Sequence, residues 1–343
     1  MARKFLIILA VSMFLLSAAG LSSAAQFANP DLLVDAETVA KNISKSDWVV
    51  VDCRELKKYA EGHIPGAISL GDRCKKVFRD ATARVYRDTG KYEKMLSKVG
   101  IGNDTHVVFY HGDFKDLPDA TVGFWVMEYL GHDKVHLLNG GVDAWRKAGN
   151  RLDKKPSKKA PSKFVAKKMN NDAYASTAEI LQIATNKKKG VQLIDSRTDK
   201  EFDGKDCRAV RCGHIPNVTM NVSHKDTVVQ QADPKTKKNN PTGYLSPDVL
   251  EAKFGKLDRN KRTIGYCQTG TRSTLTYLEL RLMGFKNAAN WDESWRVWGS
   301  HYADYPVEAP NGEQWYNFAK TNKSITDLEK KVKKLEEALA KKK

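Results

Sequence analysis

The 343 residues are 41% hydrophobic and 29% charged, with 58 Lys+Arg against 41 Asp+Glu for a formal net charge of +17. This composition excludes a disordered chain and a polytopic membrane protein, and the length suggests about two domains. Five cysteines are too few for a disulfide scaffold, so ordinary apolar cores must hold the fold. The charge is uneven: residues 1–26 carry +2, 151–170 carry +7 and 323–343 carry +4, which leaves +4 for everything else. A nearly neutral body lacks the basic face of a nucleic-acid binder, and the basic runs read as solvated linker and tail.

Arg3 and Lys4 precede an apolar run from Phe5 to Leu16, and Ser23-Ala24-Ala25 fits the small-residue rule for signal-peptidase cleavage. Residues 1–25 therefore read as a cleavable signal peptide, with an uncleaved anchor as the alternative. The run falls short of the ~20 residues a spanning helix needs. The expected location is the periplasm or beyond, where thiols oxidise unless protected or used.

Short β-branched runs then alternate with longer helical patterns. Val49–Val51, Val107–Tyr110 and Val135–Leu138 read as strands, with a helix over Ala120–Leu130. After a Lys/Pro/Ser-rich linker over 151–170, Val191–Ile194 and Thr263–Tyr266 read as strands and Ser273–Met283 as a helix. Strands separated by helices imply an α/β fold, a parallel sheet with helices on both faces, and ligands bind beyond the carboxyl ends of such strands.

The chain also repeats itself. Asp52-Cys53-Arg54 and Gly62-His63-Ile64-Pro65 return as Asp195-Ser196-Arg197 and Gly213-His214-Ile215-Pro216, and Trp145 returns as Trp295. The offset is 143 residues at the aspartates and 150 at the tryptophans, which is too long for a solenoid and fits a duplicated domain. The boundaries are 27–150 for the first copy and 171–318 for the second, with the tail over 323–343.

Thr263–Tyr266 runs into Cys267-Gln268-Thr269-Gly270-Thr271-Arg272-Ser273, and a helix follows. A cysteine at a strand–loop–helix turn faces backbone N–H groups and the positive helix end, both of which favour thiolate. Gly270 permits a tight loop over the sulfur and Arg272 adds a fixed positive charge. Such a cradle suits a nucleophilic thiolate that also carries an anionic group.

This loop and the duplication resemble the rhodanese (sulfurtransferase) family in its tandem two-domain form, over roughly residues 30–305. Cys267–Arg272 fits that family's loop, and the turn after Val107–Tyr110 reads His111-Gly112-Asp113-Phe114, without a cysteine. The resemblance implies two rhodanese-like domains with catalysis only in the second. Cys267 takes the outer sulfur of a small donor such as thiosulfate as a persulfide, and cyanide or a thiol removes it. It implies no metal and no organic cofactor. Arg197 is expected to hold the donor's anionic group, with Gln268, Thr269, Gly270, Thr271 and Arg272 forming the binding loop.

Arg54, the counterpart of Arg197 in the half without the cysteine, reads as an ion-pair residue. Asp52 and Asp195 read as ties to neighbouring backbone, and His63 and His214 as structural. Gln268 and Thr269 depart from the basic pair of thiosulfate-preferring tandem enzymes and from the Gly-Ser of mercaptopyruvate-preferring ones. Arg272 supplies charge instead, so thiosulfate is the expected donor and 3-mercaptopyruvate the alternative. A non-catalytic sulfur-binding scaffold is a second alternative, opposed by the intact Cys267, Gly270 and Arg272. A phosphatase loop places Arg six residues after Cys, where Ser273 stands.

Cys207 and Cys212 either pair locally or one of them resolves the Cys267 persulfide, and Cys53 and Cys74 are a second pair or two buried thiols. Trp291, Trp295 and Trp298 mark the core face of the last domain helix. Ile325, Leu328, Val332, Leu335 and Leu339 repeat at 3-4-3-4 spacing, a short heptad helix that either docks on its own domain or pairs chains.

Overall fold

A computed structural model describes residues 26–113, 116–166, 169–232, 239–244, 246–300, 305–309 and 318–340. The signal-peptide reading of residues 1–25 lies outside these. Among the described residues no helix is long and apolar enough to cross a membrane.

Two parallel sheets form, one per repeat. In the first, β1 (Leu33–Val34), β2 (Trp48–Asp52), β3 (Ile68–Ser69), β4 (His106–Tyr110) and β5 (Val135–Leu138) lie in the order β1-β5-β4-β2-β3. In the second, β6 (Gln192–Asp195), β7 (Met220–Asn221), β10 (Thr263–Tyr266) and β11 (Ala288–Asn290) lie in the order β11-β10-β6-β7. Every pair in both sheets is parallel. Each residue of β2 and β10 is buried, as unbroken apolar runs inside a two-faced sheet require. An antiparallel hairpin of β8 (Val228–Ala232) and β9 (Asn239–Tyr244) interrupts the second repeat, and the strand reading of the sequence does not anticipate it.

The two repeats join through equivalent helices. Leu117–Tyr129 follows β4, Ser273–Leu282 follows β10, and the two pack on each other in one apolar cluster that includes Phe109, Trp125, Leu275, Leu278 and Leu282. Leu117–Tyr129 is buried on nearly every side, so it has no polar stripe. Three polar contacts cross this seam: Thr121 Oγ meets Thr274 Oγ at 2.7 Å, and Glu128 accepts from Tyr277 Oη at 2.5 Å and from Arg281 Nη2 at 3.0 Å. The halves thus share a core, unlike the wetter seam of mobile domains.

The expected linker is a ribbon laid on the first domain. Asp153 exchanges backbone hydrogen bonds with His63 at 2.8 Å, Ser162 N donates to Ser97 O at 2.9 Å, and Phe164 is buried. Its lysines are solvated, but its backbone is anchored.

A matched lock sits beside each sheet. Asp52 accepts from Arg54 N (2.9 Å), Arg54 Nη2 (2.6 Å) and Tyr110 Oη (2.5 Å), and Arg54 Nη2 also donates to Gly62 O (2.8 Å). Asp195 accepts from Arg197 N (2.9 Å), Arg197 Nη2 (2.6 Å) and Tyr266 Oη (2.6 Å), and Arg197 Nη2 donates to Gly213 O (2.8 Å). His63 stacks on Tyr59 and His214 on Phe202, which bears out their structural reading. Removing one member of a buried pair strands the other charge at a cost of about 3–5 kcal/mol. Arg54→Met and Arg197→Met should therefore each lower the unfolding free energy by about that amount in denaturant titrations. An Arg197→Met protein of unchanged stability, with a raised donor KM, would refute the lock.

Candidate active site

The Cys267 loop runs from the end of β10 to the first turn of Ser273–Leu282, and the turn after β11 bolts it down. Ser294 Oγ accepts from Cys267 N at 3.1 Å, Trp295 N donates to Cys267 O at 3.0 Å, and Arg296 N donates to Gln268 O at 2.8 Å. Asn290 Nδ2 donates to Gly270 O at 3.2 Å. Gly270 has φ +68°, and a Cβ there would lie 2.3 Å from the carbonyl oxygen of Asp292. The loop thus needs glycine on two counts, backbone handedness and space.

Cys267 is the sole free cysteine, because Cys53 pairs with Cys74 and Cys207 with Cys212. Its side chain is wholly buried. Burial pushes the thiol's pKa up, but the Arg272 guanidinium and the N–H groups of Thr269 and Ser273 outweigh it and leave the pKa below its ordinary value. Arg272 is in turn fixed by Glu201 through two parallel bonds, Nη1 to Oε2 at 2.8 Å and Nη2 to Oε1 at 2.7 Å. Although burial opposes ionisation, this pair holds the Glu201 carboxyl at about 2. The same Glu201 closes the capping box of Asp199–Phe202 with Thr198, so a helix start aims the arginine. His224 stands near Arg272, and burial and that charge push its imidazole down to about 4, neutral at physiological pH.

A cleft of about 710 Å³ opens between the halves beside this loop. Thr269, Thr271 and Arg272 line it from the second half; Lys75, Lys76, Arg79 and Pro118 line it from the first. Arg79 is buried and grips the loop directly, donating to Thr269 O (3.2 Å), Thr271 Oγ (2.5 Å) and Asp292 Oδ1 (3.0 Å). Asp292 also accepts from Val85 N at 2.8 Å, and its burial pushes the carboxyl up to about 6. The segment Cys74–Val77 that carries Lys75 and Lys76 is tied by the Cys53–Cys74 disulfide to the end of β2. The half without the loop cysteine therefore builds one wall of the cleft.

The structure brings together Cys267, Thr269, Gly270, Thr271 and Arg272 as expected, with Gln268 beneath the loop through its carbonyl. It does not bring Arg197 to the cleft. That guanidinium is buried against Asp195, Gly213 O and the Trp295 ring (4.4 Å), with Nε and Nη2 both spent inside the lock. The expectation that Arg197 holds the anion is corrected: the cleft cations are Lys75, Lys76, Arg79 and Arg272. Arg79, Lys75 and Lys76 carry no local sequence signal, since each acts across the fold, and the local signature at Thr198–Glu201 points to a helix cap and not to Arg272. A Gly270→Ala protein should fold yet lose at least about tenfold in kcat/KM, the price of a loop displaced from its sulfur; unchanged turnover would contradict the tight loop.

The rhodanese-like domain profile matches residues 35–148 and 177–301, one match per sheet. A putative thiosulfate sulfurtransferase of Saccharopolyspora erythraea is 32% identical over 293 residues, covering 82% of this chain and 97% of that one. The sulfur carrier protein TtuD of Thermus thermophilus is 29% identical, covering 80% and 95%. Among solved structures, the 3-mercaptopyruvate sulfotransferase SseA of Escherichia coli superposes with a TM-score of 0.63 at 22% identity, covering 77% of this chain and 98% of that one. Two matched domains, one retaining the cysteine loop, place the chain in the rhodanese family.

Proposed function

We propose that this protein is a sulfurtransferase that moves sulfane sulfur from thiosulfate, or a related small anionic donor, to a nucleophilic acceptor through a Cys267 persulfide. The observation that carries the reading is a single buried cysteine, held below its ordinary pKa by Arg272, in a loop whose Thr269, Thr271 and Arg272 line a cationic cleft. In the first half-reaction the Cys267 thiolate attacks the outer sulfur of thiosulfate. A Cys–S–S⁻ bond forms, the S–S bond of the donor breaks, and its electron pair leaves on sulfite. In the second, an acceptor such as cyanide or a thiolate attacks the terminal sulfur, takes it, and returns the Cys267 thiolate. Loop amides and Arg272 stabilise the anionic sulfur in both resting states, as preorganised donors do. Lys75 and Lys76 bring positive charge to the cleft mouth, where a dianion gains more than a monoanion.

A cleavable leader over residues 1–25 and work in an oxidising compartment belong to the same reading. Its support is that four of the five cysteines are paired while the nucleophile is left alone. In such a compartment the disulfides hold the walls and do not compete for the persulfide.

Thiocyanate formation from thiosulfate and cyanide tests this function. The wild-type protein should turn over with ping-pong kinetics and Cys267→Ser should be inactive. Comparable failure of the wild-type protein with thiosulfate and with 3-mercaptopyruvate would leave the carrier or scaffold reading. Because the thiol's pKa is depressed, thiolate is present above that pKa and is lost as pH falls through it. Arg272→Gln removes the depressing charge, so the acid limb of kcat/KM should move up by about one pH unit or more. Lys75→Ala with Lys76→Ala should raise the KM for thiosulfate more than that for mercaptopyruvate. Equal effects on both would remove the lysines from donor choice.

A further inference from the structure

The helix Phe318–Ala340 runs for 23 residues, about 35 Å at 1.5 Å per residue. Among the described residues nothing covers most of its heptad stripe. Ile325, Val332, Leu335 and Leu339 are 49%, 51%, 65% and 64% exposed, and Leu328 alone has partial cover. Of the two fates the spacing allows, docking on its own domain is thus set aside. Four large apolar side chains left in water along one face of a helix are the mark of an interaction surface.

We propose that the partner is a second copy of this chain, joined through Phe318–Ala340 as a parallel two-stranded coiled coil. Placing Ile325 at a puts Leu328 at d, Val332 at a, Leu335 at d and Leu339 at a. Two of the three a positions are then β-branched and both d positions are leucine, the combination that selects two parallel strands. The flanking charges select the same arrangement. Lys331 falls at g and Glu336 at the following e, and in a parallel pair g of one helix faces the next e of its partner. Two symmetry-related Lys331–Glu336 pairs therefore form across the seam. An antiparallel pair would set g against g and e against e, bringing lysine near lysine and Glu329 near Glu336, which is repulsive. The helix's other lysines, Lys320, Lys323, Lys330, Lys333 and Lys334, fall at c, f, f, b and c, outside the seam. The seam buries ten apolar side chains in all, enough for a dimer in exchange with monomer rather than a permanent one.

Sedimentation equilibrium of the full chain over the micromolar range tests this. A reversible monomer–dimer equilibrium is expected. Val332→Glu with Leu335→Glu, two exposed positions outside the cleft lining, should leave a monomer at every concentration with thiosulfate:cyanide turnover unchanged. Lys331→Glu alone, at low salt, should raise the dimer dissociation constant by roughly fivefold or more, since each pair becomes a repulsion. Adding Glu336→Lys should restore it. A wild-type monomer throughout, or a dimer that survives the two glutamates, would overturn the proposal. Failure of the double charge swap to restore affinity would overturn the parallel arrangement. A monomer that instead co-sediments with phosphatidylglycerol-containing vesicles would assign the stripe to a membrane surface and likewise overturn it.

Discussion

A cysteine sealed from water is a poor nucleophile unless something stabilises its charged form, and the structure is arranged around that requirement. Desolvation alone would leave Cys267 a thiol. The counterweight is the guanidinium of Arg272 together with the N–H groups of Thr269 and Ser273, and it prevails. The charge is useful only if it stays in place. Glu201 fixes it through two parallel bonds while itself anchored at a helix start, which gives the long arginine side chain one orientation. The same fixed dipoles serve thiolate and persulfide alike, so neither half-reaction needs the site to reorganise.

The half without the loop cysteine helps to build the site. Its helix Leu117–Tyr129 shares a core with Ser273–Leu282, which positions the catalytic loop against the first domain. From there Arg79 reaches a loop carbonyl, a loop hydroxyl and Asp292 at once. A buried arginine with three acceptors cannot be replaced by solvent, so the loop conformation depends on the domain interface as much as on its own sequence. The Cys53–Cys74 disulfide extends the dependence back to the sheet, holding the Lys75–Lys76 segment over the cleft. Of the two matched domains, one carries the cysteine loop and the other contributes shape and charge to the cleft beside it.

Local patterns in the sequence carry much of this. The strands Trp48–Asp52 and Thr263–Tyr266, the helix after each loop, the linker and the division into two repeats are legible because burial on both faces leaves unbroken apolar runs. The Cys267–Arg272 loop is legible because its chemistry is encoded in consecutive residues. Arg197 misleads: its place at a strand end suggests a ligand, yet the identical Asp52–Arg54 arrangement in the half without a cysteine already points to structure. Asp52, Asp195, His63 and His214 are read correctly by that same comparison. Arg79, Lys75, Lys76 and Glu201 stay hidden because their meaning arises only when chain segments tens to hundreds of residues apart meet. The β8–β9 hairpin is equally hidden, since its sequence is polar and lacks alternation.

The most direct test of the account is the pKa of Cys267 itself. With both disulfides intact it is the protein's one free thiol, so ultraviolet thiolate absorbance titrates it without interference. The account predicts a midpoint below the ordinary cysteine value in the wild-type protein and a rise toward or above that value in Arg272→Gln. A wild-type midpoint at or above the ordinary value, unmoved by loss of Arg272, would contradict it, because burial would then have won and the cradle would not be holding a thiolate.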